Sequence, residues 1–112
     1  MATVSLVAAV SCGGSDKTPT TPSGQTVDVF TVGNTFSPAL QAIAVGTTVR
    51  FNITPGADGM GHNAIFQKTP PGAPADVNII MSGVVSRQFT TRGNFKYDCT
   101  VHPGMSGEID VQ

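Results

Sequence analysis

Three residue types that bind soft metals fall within seven positions near the end of the chain: Cys99, His102 and Met105, in the stretch "YDCTVHPGM". A thiolate, an imidazole and a thioether at this spacing are a metal-ligand pattern. Taken alone, the Cys-x2-His step reads equally as a buried structural cysteine beside a surface histidine, or as a Cys-His nucleophile pair. The ligand count decides between them. The chain has only one other histidine, His62 in "GMGHNAIF", set after a glycine-rich loop at the start of a strand-like run, which a two-sheet fold can bring beside the later loop. Two imidazoles and one thiolate with a weak axial thioether form the ligand set of a blue-copper electron-transfer site. Zinc prefers a fourth strong ligand. The remaining cysteine, Cys12, lies in a leader-like segment where it serves poorly, so copper fits better than zinc.

The elements that must hold these residues are strands. The 112-residue chain suits one domain. Its charged fraction of 12% and formal net charge of −1 give no basic stripe for phosphates, so nucleic acid is not an expected partner. "QTVDVFTV" sets Val27, Val29 and Thr31 against Asp28, Phe30 and Val32, and "GTTVRFNI" sets Val49, Phe51 and Ile53 against Thr48, Arg50 and Asn52. Both have the period of two of a half-buried strand and are bounded by turn residues. Further runs follow at "NAIFQ", "VNIIM", "GVVSRQFTT", "NFKYDC" and "GEIDVQ". With no amphipathic helix among them, the pattern predicts an all-β, two-sheet Greek-key sandwich of about seven to eight strands.

The first two dozen residues read differently. The run "ATVSLVAAV" is uncharged and apolar, too short to span a bilayer but suited to the h-region of a signal peptide. It leads into "AVSCGGSD", which resembles a bacterial lipoprotein cleavage box and makes Cys12 a candidate lipidation site. The alternative is an ordinary N-terminus with an incidental cysteine. "DKTPTTPSG" is poor in apolar residues and rich in Pro, Thr and Ser, as a tether is. Residues 1–24 are therefore expected to be leader and tether, residues 25–112 the metal-binding domain, and the protein to be exported, periplasmic or on the outer face of a bacterial membrane.

From about Thr26 to Gln112 the chain resembles the small blue-copper proteins, the cupredoxins of the plastocyanin, pseudoazurin and amicyanin kind. The resemblance rests on Phe36, Pro38, Val45, Gly46, Val49 and Phe51, on the "GHNAIF" stretch, and on "GNFKYDCTVHPGMSGEIDV". The Cys-x2-His-x2-Met loop is similar to amicyanin's, and the His-Asn pair to plastocyanin's. The resemblance implies one type 1 copper held by His62, Cys99, His102 and axial Met105. It also implies that Asn63 ties the two ligand loops together and donates toward the cysteine sulfur, and that the ring edge of His102 reaches the surface, framed by Pro103, Gly104, Gly59, Met60 and Gly61. The function to expect is a monomeric one-electron carrier cycling Cu(II) and Cu(I) between transient redox protein partners, without enzymatic activity. A copper-binding or trafficking module is the alternative. A multicopper enzyme needs additional histidines, and both are already assigned. Met60 is read as apolar surface, and Phe36, Phe51, Phe66, Phe95 and Tyr97 as core.

Overall fold

A computed structural model describes residues 24–112. Nine strands form two sheets and no helix is present among the described residues: β1 Thr26–Val32, β2 Thr35–Ser37, β3 Leu40–Ile43, β4 Thr48–Ile53, β5 His62–Phe66, β6 Val77–Ile80, β7 Gly83–Gln88, β8 Gly93–Asp98 and β9 Ser106–Val111. One sheet has the order β2-β1-β4-β7 and the other β3-β9-β8-β5-β6. All seven expected strands are found. The two additional ones, β2 and β3, are three and four residues long. Pro38 lies between them and has no N–H to offer a ladder, so the stretch lacks a run long enough to display alternation.

The alternation of side chains decides which face is buried. In β1, Val29 and Thr31 are buried while Phe30 and Val32 face out; in β4, Val49, Phe51 and Ile53 point into the core. Between the sheets, Tyr97 stands at the centre of an aromatic cluster. Its ring meets Phe36, Phe51 and Phe66 edge-on at centroid separations of 4.8, 5.4 and 5.6 Å. Such edge-to-face pairs add to the roughly 1.5–3 kcal/mol that burial of each large apolar side chain contributes.

The topology sets the two ligand stretches side by side. Strands β8 and β9 are an antiparallel pair, with Asp98 opposite Ser106, so residues 99–105 are the loop joining their ends. Strand β5 is the other neighbour of β8, with Ile65 opposite Asp98. Because β5 runs antiparallel to β8 and begins at His62, its first residue lies next to the start of that loop.

Candidate metal centre

Strand ends fix the donors. Cys99 follows directly on β8, where its N–H donates to the Met105 carbonyl at 2.8 Å, and the Met105 N–H donates to the His102 carbonyl at 3.1 Å. These two bonds close the loop so that Cys99, His102 and Met105 are all buried. The Cys99 Sγ lies 3.7 Å from Nδ1 of His62 and 3.7 Å from Nδ1 of His102, and the three donor atoms lie within 4.8 Å of one another. Both sulfur-to-nitrogen separations are those of donors that share one metal ion at ordinary thiolate and imidazole bond lengths. Two neutral nitrogens and a thiolate are the soft donor set that suits copper.

The protonation states agree with that chemistry. Burial, and then the neighbouring His102, hold the His62 imidazole below its ordinary pKa, so its lone pair is free. Burial by itself would push the Cys99 thiol up. The backbone N–H of Asn63, the His102 side chain and the backbone N–H groups of Val101 and His102 outweigh it, and the thiol titrates below its usual range.

Asn63 links the two loops through Thr100. Its side-chain Nδ2 donates to Thr100 Oγ1 at 2.9 Å and its Oδ1 accepts from the Thr100 N–H at 2.8 Å, joining β5 to the 99–105 loop. It is the backbone N–H of Asn63, rather than the side-chain amide, that reaches the sulfur. Met60 is 52% exposed, in keeping with a surface role. Cys12 lies outside the described residues, and so does the leader.

One expectation is overturned. The outer edge of His102 is not bare: the residue is only 6% exposed, and both carboxylate oxygens of Asp58 lie 3.0 Å from its Nε2. Hydrogen bonding to Cys99, and next to Asp58, raises the His102 pKa above its ordinary value. Asp58 was visible in the sequence as the single acidic residue of "TPGADGMG", but nothing local links it to a histidine 44 positions away. Residues 33–34, 54–61, 81–82 and 99–105 meet at this end of the sandwich, and apart from the metal donors Asp58 is their only ionisable side chain. No helix among the described residues is long and apolar enough to cross a membrane.

Comparison with known proteins bears on the same region. The family model of copper-binding proteins of the plastocyanin/azurin family matches residues 25–112. Amicyanin-alpha of Methylorubrum extorquens is 30% identical over 115 residues, spanning 100% of this chain and 92% of that protein. Among solved structures, a proline-to-alanine variant of amicyanin in its oxidised state superposes with a TM-score of 0.64 at 25% identity, covering 78% of this chain and 82% of that one. The copper-containing nitrite reductase of Thermus scotoductus superposes with a TM-score of 0.66 at 28% identity. That match covers 94% of this chain but only 25% of the reductase chain.

Proposed function

Since the chain belongs to the plastocyanin/azurin family of copper-binding proteins and copper is its cofactor, we propose that it is a one-electron carrier of the cell envelope. Bound copper supplies the exchange of a single electron between Cu(II) and Cu(I). The chain's own residues do the rest. His62 and His102 would hold copper through Nδ1 and Cys99 through a thiolate already favoured by the hydrogen bonds around it, while the Met105 thioether would serve as the weak fourth ligand. Asn63 couples the two loops, so neither histidine moves independently of the cysteine. A site whose donors are set by strand ends has little to rearrange on electron arrival.

The observation that carries this reading is the buried Cys99-His62-His102 set, with both sulfur-to-nitrogen separations those of donors that share one metal ion. Burial also weighs against a trafficking module, which needs ligands open to exchange. The nitrite reductase likeness covers one quarter of that enzyme, and this chain's two histidines are both used at one centre. Partners of a carrier must leave quickly, so contacts of the small, transient kind are proposed, by a monomer exported through its apolar leader.

The test is optical. Copper-loaded protein is expected to be intensely blue when oxidised, to bleach on one-electron reduction and to recover its colour on reoxidation, and Cys99→Ser is expected to lose the band. A copper-bound wild type that stays colourless would overturn the carrier in favour of a storage or delivery role.

A further inference from the structure

We propose that Asp58 is a positioning residue for His102: its carboxylate fixes the proton on Nε2, turns Nδ1 toward the metal and lays an anion over the outer edge of the ring. This rests on the electron-carrier reading of the same site.

The carboxylate is itself held in place. Asp58 Oδ1 accepts from the Met60 N–H at 3.0 Å, and the turn around it is closed by Gly56 N–H to the Met60 carbonyl at 2.8 Å and Gly59 N–H to the Gly56 carbonyl at 2.9 Å. Gly59 completes it at φ 81°, a conformation that favours glycine. From outside, the Asn34 Oδ1 accepts the Ala57 N–H at 3.1 Å, pinning the turn to the β1–β2 connection.

Neutral imidazole carries one proton, and an ionised carboxylate can only accept. Two acceptors face the ring, and the Asp58 oxygens at 3.0 Å from Nε2 are closer than the Cys99 sulfur at 3.7 Å from Nδ1, so the proton is assigned to Nε2 and the lone pair to Nδ1. Carboxylates that accept from the far nitrogen of a ligating histidine orient the ring and raise its basicity. Here the acceptor also places a negative charge near the site, where, among the described residues of the loops that meet at this end, the Cys99 thiolate is the other anionic side chain. A negative neighbour stabilises the more positive oxidation state, so Asp58 lowers the reduction potential.

Two variants separate the hydrogen bond from the charge. Asp58→Asn keeps an acceptor oxygen without the charge, whereas Asp58→Ala removes both. In metal-free protein, nitrogen-resolved imidazole NMR at a pH above histidine protonation is expected to show His102 as the Nε2–H tautomer in wild type and Asp58→Asn. Mixed tautomers are expected in Asp58→Ala. In the copper-loaded proteins both variants are expected to have a higher potential than wild type. Wild-type tautomer and wild-type potential in Asp58→Ala would overturn the proposal, as would a changed tautomer with no change in potential. The metal-free measurement is independent of copper colour, so a colourless protein would count against the carrier reading alone.

Discussion

Met105 and Met60 carry the same thioether in opposite settings, one 3% exposed at the end of the ligand loop and the other 52% exposed beside it. A weak axial ligand tunes a copper site more than it holds the metal. Met105→Leu is therefore expected to retain copper and raise the reduction potential, and Met60→Leu to leave the potential close to wild type; redox titration of the two variants reverses the assignment if the effects are exchanged. At this scale the sequence was informative wherever function depends on local spacing. Cys99, His102 and Met105, the proposed donors, stand within one loop, and His62 is the one other histidine in the sequence. Asp58 gave no such signal. Its role depends on the 54–61 turn folding over the 99–105 loop, which neither stretch encodes alone.

At the scale of the strands, β8 and β9 depend on a missing side chain. Gly107 lies opposite Tyr97 in the ladder, and a Cβ there would collide with the Tyr97 ring carbon Cζ and its Oη. The ring is fully buried and edge-packed on Phe36, Phe51 and Phe66, so a shift there disturbs the whole cluster. Gly107→Ala is expected to destabilise the metal-free protein by about 1–3 kcal/mol through overpacking, measured as a lower denaturant midpoint; an unchanged midpoint would mean that the cluster is loosely packed. Strands β1 and β4 are joined on their outer face by a different contact. Arg50 donates to both Asp28 oxygens, at 2.8 and 2.9 Å, and Asn52 donates to one of them. The Arg50 hydrogen bonds, followed by that from Asn52, hold the Asp28 carboxyl below its usual pKa. A depressed folded-state pKa gives stabilisation that is present above the unfolded-state value and disappears as pH falls through the folded one. Wild type is thus expected to be more stable than Asp28→Asn near neutrality, with the difference closing on acidification below the carboxylate range; a gap that does not depend on pH would assign the effect to shape instead of charge. Period-two alternation revealed β1 and β4 directly. It could not reveal β2 and β3, whose pairing with β1 and β9 comes from long-range register and not from a pattern within three or four residues.

At the scale of the whole molecule, the sandwich separates its functions along its length. The aromatic cluster lies between the sheets, and the metal donors lie where strand ends and loops meet. That end is built of small, apolar and uncharged residues, among them Ala57, Gly59, Met60, Pro103 and Gly104, with the half-exposed Asp58 carboxylate among them. The consequence appears when two copies of the protein meet. For an electron to pass between a reduced and an oxidised copy, the two metal ends must face each other, which drives one carboxylate against its twin. Like charges brought together across a contact oppose it, and salt weakens that opposition. A carrier built this way is insulated against trading electrons with itself: its self-exchange should be slow, should quicken as ionic strength rises, and should quicken in Asp58→Asn at low salt, whereas a rate indifferent to both would show that copies meet by another face.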